Sequence, residues 1–115
     1  MSMQEADLRA FQALPASTMC RIINFDTADV VPGFFPKTFF LIVRGTKLAS
    51  VTVELVPLLY FIKPDYWGIE VVGCQRGFGI QLQVPYVAVL DISHYLGNHG
   101  IEVIGANKKQ QIKVP

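Results

Sequence analysis

The chain predicts an all-β fold, an antiparallel β-sandwich of seven or eight strands with one short N-terminal helix. Three observations carry this. From Thr18 onward Val, Ile, Phe, Thr and Tyr dominate, with Pro or Gly at short intervals. Several segments alternate apolar and polar residues with the period of two that a half-buried strand imposes. Beyond Pro15 no stretch has the length and period of the crossover helices that a parallel sheet needs. At 115 residues the chain is the size of one ordinary domain, expected to span 1–115 with residues 1–15 as a helical arm.

Gln4 to Leu14 reads as the helix: Met3, Ala6, Ala10, Phe11 and Leu14 fall close to one face, and Pro15 ends the pattern. About three turns do not hold together alone in water, so this helix needs a surface to pack on. Thr18 to Phe25 is the first strand, and Asp26 to Lys37, with Pro32-Gly33 and Pro36, is a long turn-rich connection. In Thr38 to Arg44, Phe39 to Val43 are all apolar, as in a central strand covered on both faces. Gly45 to Ala49 turns the chain. Val51, Val53 and Leu55 then alternate with Thr52 and Glu54. Pro57 interrupts, Leu58 to Ile62 resumes an extended run, and Lys63-Pro-Asp65 is a turn. Trp67 to Cys74 and Gly79 to Ile92 follow, the second broken by Pro85. Ile101 to Gly105 and Gln110 to Val114 close the chain.

One echo runs through the second half. Trp67-Gly-Ile-Glu-Val-Val-Gly73 returns as His99-Gly-Ile-Glu-Val-Ile-Gly105, offset by 32 residues. The alternation turns Ile69, Val71, Ile101 and Val103 inward and Glu70 and Glu102 outward, as in a structurally equivalent pair of strands.

Composition bears on function. Hydrophobic residues make up 51% of the chain and charged residues 17%, against roughly 25% charged in an average domain. Yet no segment supplies the roughly 18 uncharged apolar residues of a membrane helix; the longest candidate, Gly77 to Leu90, contains Gln81, Gln83 and Pro85. The surplus apolar surface is therefore expected against another protein chain and not in a membrane. A net charge of +1 steers the chain toward neither nucleic acid nor anionic lipid. The opening Met1 to Asp7 has two acids, Glu5 and Asp7, and no apolar run, so it is no secretory signal. Cys20 and Cys74, far apart and without a third partner, read as a buried reduced pair, and the expected location is cytoplasmic.

Chemistry-bearing residues are sparse. Asp91, His94 and His99 lie close in sequence, but their odd offsets put neighbours on opposite faces of a strand, so only a turn brings them together. Ser93 and His94, or Cys74 beside Arg76, are the nucleophile candidates, each lacking an oriented base. No catalytic residue, metal site or cofactor is assigned. Arg76-Gly-Phe-Gly79 resembles the opening of the RNP1 motif of RNA-recognition and cold-shock domains, in which strand aromatics stack bases. The likeness stops at Ile80 and Gln83, where that motif has aromatics, and the resemblance implies at most a small single-stranded nucleic-acid binder. Phe34 and Phe35, in a loop flanked by Pro and Gly, have the best claim to a role outside the core, and Trp67 and several tyrosines offer apolar bodies with polar tips.

The reading is a non-enzymatic binding or assembly module forming a homo-oligomer, most simply a dimer. Its interface would use the helix face of Leu8, Phe11 and Leu14 with Phe34, Phe35 and Trp67. A protein partner or an apolar small molecule fits the same surfaces, and nucleic acid is disfavoured. The alternatives are the cold-shock-like binder and an apolar-ligand-binding or hydrolytic β-protein.

Overall fold

The computed structural model describes residues 19–75 and 81–115. The helix expected over 4–14, with Leu8, Phe11 and Leu14, and the Arg76-Gly-Phe-Gly79 motif lie outside them. The described chain is all-β, in two sheets. Its strands are β1 (Met19–Ile22), β2 (Thr27–Pro32), β3 (Phe39–Leu48), β4 (Val51–Pro57), β5 (Tyr66–Gln75), β6 (Gln83–Asp91), β7 (Gly100–Ile104) and β8 (Lys109–Lys113). Five strands build one sheet around β5, which pairs with β4 along one edge and with β1 and then β7 along the other, β8 lying beyond β7. The other sheet has the order β2-β3-β6.

Alternation decides what is buried. Ile69 and Val71 of β5 and Ile101 and Val103 of β7 face Leu41 and Val43 of β3 and Tyr86 and Ala88 of β6 in one apolar cluster. The two echo segments are neighbours in the same sheet: β5 and β7 pair in parallel, with Trp67 opposite Ile101 and Ile69 opposite Val103. The pairing is shifted by two residues from the sequence repeat, a slip that leaves every side chain on its own face. Glu70 and Glu102 point outward, as the alternation requires.

Between β1 and β2 the chain crosses from one sheet to the other, and Phe25 is driven fully into the core there. A buried main chain between strands must find hydrogen-bond partners. The Asn107 side chain supplies both, its Oδ1 accepting from the Phe25 N–H (3.1 Å) and its Nδ2 donating to the Phe25 carbonyl (2.9 Å). Around this clamp the Tyr86 hydroxyl donates to the Asn24 carbonyl (2.8 Å) and Lys108 Nζ donates to the Asp26 carbonyl (2.7 Å). Gly105 makes room for the ring, since a Cβ there would stand 2.4 Å from Phe25 Cδ1.

Several expectations are corrected. The connection over 26–37 contains β2, whose inward Ala28 and Val30 carry the alternation past the Pro and Gly signals that follow it. Gly45 to Leu48 is strand: Gly45 lets the Tyr86 ring lie flat against β3, where a Cβ would meet it at 2.6–2.8 Å. Pro85 does not break the ladder. Ile92 and Ala49 donate to Phe39 and Leu82, so by the alternation of an antiparallel pair the Pro85 nitrogen faces the outer edge of β6, where no ladder bond is lost. Phe39 to Val43 is unevenly covered: Leu41 and Val43 are buried, while Phe40 and Ile42, on the other side, are half-buried. Leu58 to Ile62 is a loop, not a strand.

The cysteines are also corrected. Cys20 and Cys74 are bonded to each other directly across β1 and β5. Cys20 is exposed and Cys74 half-buried, on the outward face of the five-stranded sheet. Their spacing of 54 residues gave no hint of pairing, because register between distant strands places them side by side. The bond ties the four-residue β1 to the sheet's central strand.

Two outcomes test this packing. Asn107→Ala should lower unfolding stability in urea by about 2 kcal/mol, since the main chain of Phe25 loses both partners, with Asn107→Asp in between because it keeps only the acceptor. Burial, and then the Asp26 carboxylate nearby, push the Tyr86 hydroxyl up from 10.0 to about 12. A raised tyrosine value favours the neutral folded form, so its contribution is full below pH 10 and is lost as pH rises through 12. Tyr86→Phe should cost about 1 kcal/mol at neutral pH and flatten this alkaline decline in a pH series of denaturation curves.

Candidate functional site

The strands bring three loops to one end of the sandwich. The β2–β3 turn (33–38), the β4–β5 loop (58–65) and the β6–β7 loop (92–99) meet there around a cleft of about 610 Å³ lined by Lys37, Phe39, Tyr60, Lys63, Trp67, Ser93, His94, Leu96 and Pro115. The loops are bonded to one another through their backbones: Asn98 and His99 N–H donate to the carbonyls of Pro64 and Asp65 (both 2.8 Å). Asp65 also accepts from Asn98 Nδ2 at 3.1 Å and stands 3.9 Å from His99 Nε2.

Aromatic side chains form the floor. Trp67 packs against the core, donates its indole N–H to the Leu58 carbonyl (2.9 Å), and meets the rings of Tyr60 and Tyr95 edge-on at 5.2 and 5.9 Å. It is thus a half-buried part of the cleft wall.

The outermost residues are apolar. Phe34 and Phe61 are fully exposed, and Leu59, Ile62 and Phe35 are 94%, 84% and 75% exposed. Phe34 and Phe35 are therefore where the sequence placed them, but Leu59, Phe61 and Ile62 were missed. Their consecutive apolar run read as a strand, and the signals that they form a loop were Pro57 before them and Lys63-Pro-Asp65 after. Lys37 ends the first apolar loop at φ 64, a left-handed conformation that costs a non-glycine residue on the order of 1 kcal/mol.

Asp91, Ser93 and His94 come to this end as a turn. Asp91 Oδ1 accepts from the Ser93 N–H (2.9 Å) and from the Ser93 hydroxyl (2.6 Å), while Ser93 Oγ accepts from the Phe39 N–H (3.1 Å). The Ser93 proton points to a carboxylate and not to an imidazole, so the trio pins the β6–β7 loop to β3. The hydroxyl bond from Ser93, followed by its N–H, holds the exposed Asp91 carboxyl below the usual range. Cys74 lies at the opposite end of β5, bonded to Cys20 and without a thiol. Among the described residues no three His, Cys, Asp or Glu side chains cluster as a metal site would require.

A second apolar surface lies on the outer face of the three-stranded sheet. The register sets Val31 beside Phe40 and Ile42 beside Val89, with Arg44 beside Val87. Val87 and Val89 are more than half exposed. Asp29 and Arg44, 3.9 Å apart, border the patch. A further cleft of about 600 Å³ opens at the other end of the sandwich, between β1 and the β3–β4 hairpin.

No protein-family model, curated protein or solved structure matches the chain. No described helix is long and apolar enough to cross a membrane.

One measurement tests the turn. Ser93→Ala should return the Asp91 carboxyl toward its ordinary value, read from its side-chain carbon shift in an NMR pH titration. The acid limb that Asp91 contributes should shrink with it: a lowered carboxyl stabilises above its unfolded value, and that contribution is lost as pH falls through the folded one.

Proposed function

We propose that the chain is a non-enzymatic binding and assembly module that forms a homo-oligomer, a symmetric dimer in the simplest case, through the outer face of its three-stranded sheet. The observation that carries this reading is the apolar face itself. Val31, Phe40, Ile42, Val87 and Val89 adjoin one another across three strands, where a sheet open to water on one side ordinarily alternates to polar residues. A second copy is the occupant because the face carries both signs beside its apolar residues, Asp29 beside Ile42, Asp91 beside Phe40 and Arg44 beside Val87, so a two-fold contact can set acid against base. Two such faces in contact bury β-branched side chains against each other at ordinary sheet-packing distance.

The helix expected from sequence over 4–14, with Leu8, Phe11 and Leu14, lies outside the described residues and is proposed as a second contributor to the same assembly. Phe34 and Phe35, expected at this interface, stand on the turn beyond β2. The nucleic-acid alternative rests on Arg76 and Phe78 and gains nothing from the described residues. The exposed Cys20–Cys74 bond favours an oxidising compartment over the cytoplasmic location expected from sequence, since reduced glutathione and thioredoxin systems keep such pairs open in the cytosol.

Sedimentation velocity across a concentration series tests the reading. A dimer is expected at micromolar concentration, and Val89→Asp should weaken it roughly tenfold or more while leaving the monomer folded, because Val89 is exposed within each copy. A wild-type chain that stays monomeric at high micromolar concentration rejects the reading.

A further inference from the structure

We propose that the loop end of the sandwich docks onto membranes containing anionic phospholipid, with Phe34, Phe35, Leu59, Phe61 and Ile62 entering the acyl-chain boundary and Lys37 and Lys63 meeting lipid phosphates. This departs from the expectation of no membrane, which rested on the lack of a spanning segment; interfacial docking needs none.

The shape of the surface favours a lipid phase over a protein. Phe34, Leu59, Phe61 and Ile62 are 84% to 109% exposed, so water surrounds them on nearly every side. A protein partner would have to supply a fitted socket for each. Fluid hydrocarbon accepts protruding side chains without a matching socket. The flat face of Val87 and Val89 lacks this geometry, which separates the two surfaces.

The layering also matches an interface. Behind the apolar tips stand Tyr60 and Tyr95, each in ring contact with Trp67. Tyr and Trp of this kind are enriched at headgroup depth, and here the Trp67 indole N–H and the Tyr60 hydroxyl are bonded to the Leu58 carbonyl and the Gly68 N–H, so insertion leaves neither group unpaired.

Charge complementarity names the lipid class. Lys37 follows the first apolar loop and Lys63 follows the second, and both line the cleft between the loops, together with His94 and Ser93. Neither lysine has an ion-pair partner among the described residues. The acids at this end, Asp65 and Asp91, keep their charges but are bonded within the loops, to Asn98 and to Ser93, and to neither lysine. The cleft between the apolar loops thus offers two unpaired cations to lipid phosphates once the tips are inserted. Lys37 occupies a backbone conformation that glycine adopts more readily, so the charge is held at a position where the turn alone would favour another residue.

The test is vesicle flotation with the full chain, comparing pure phosphatidylcholine with a mixture containing one quarter phosphatidylglycerol. Binding is expected to the anionic vesicles and to fall with salt. Phe61→Ser combined with Ile62→Ser should weaken it at least tenfold. Lys37→Gly, which relaxes the turn, should leave thermal stability equal or higher yet weaken binding roughly fivefold. Trp67, the single tryptophan, supplies a readout that needs no substitution: acyl chains brominated near the headgroup should quench its emission in bound protein. Failure to float with anionic vesicles at low salt overturns the proposal. So does binding that is indifferent to the loop substitutions, binding without quenching, or equal competition by soluble glycerophosphate, which would mark a free-anion site. Val89→Asp should leave flotation unchanged, so failure of the dimer and failure of membrane docking are read separately.

Discussion

Everything in this fold passes through the crossing at Phe25. Among the described residues the ring is the largest fully buried side chain, and its main chain lies where neither sheet supplies a ladder partner. Asn107, from the turn between β7 and β8, answers both the N–H and the carbonyl, so the last hairpin holds the first crossover in place. A planar amide with one acceptor and two donors is the side chain that can do this. The cluster around it, with Tyr86 from the opposite sheet and Lys108 5.0 Å above the Phe25 ring, links both sheets at one point. Gln110 extends the closure by donating to the Ala28 carbonyl across the β2–β8 edge.

With that edge closed, the rest of the architecture follows from which faces remain open. β5 is the spine of the larger sheet, paired over Ile69 to Gln75 on one side by β4 and shared on the other by β1 and β7. The smaller sheet, with three strands, covers the core but has nothing among the described residues over its own outer face. The apolar excess of the composition is thus distributed unevenly. Part fills a dense core, part lies flat on the outside of β3 and β6, and part stands on two loops at one end. A flat apolar face and a protruding apolar tip call for different partners, and the functional proposals separate along that line.

The alternation of β4, β5 and β7 was legible in the sequence, and with it the inward Ile and Val of the two Gly-Ile-Glu-Val segments, because a period of two reports burial directly. The parallel pairing of those segments was not, since no local signal encodes which strands become neighbours. β2 was hidden because Pro32 and Gly33 dominate its surroundings while its inward residues are only Ala28 and Val30. Gly45 read as a turn residue because its real cause, the Tyr86 ring lying against it, comes from 41 positions away. The disulfide was illegible for the same reason. At the candidate site Phe34, Phe35 and Trp67 were named from sequence, but the apolar run over 58–62 read as a strand because its own residues are all apolar, and only the flanking Pro57 and Lys63-Pro-Asp65 marked it as a loop. Its role emerged only when three loops were seen to share one end.

The most direct test of the claim that the apolar excess serves two separate docking surfaces is hydroxyl-radical footprinting of the folded protein, with rates corrected for intrinsic reactivity. In buffer at micromolar concentration, Val87 and Val89 are expected to be shielded while Phe34, Phe61 and Ile62 react freely; adding anionic vesicles should then protect the loop residues alone. Valines that react as freely as the loop tips, or loop residues that vesicles leave unprotected, would contradict the account.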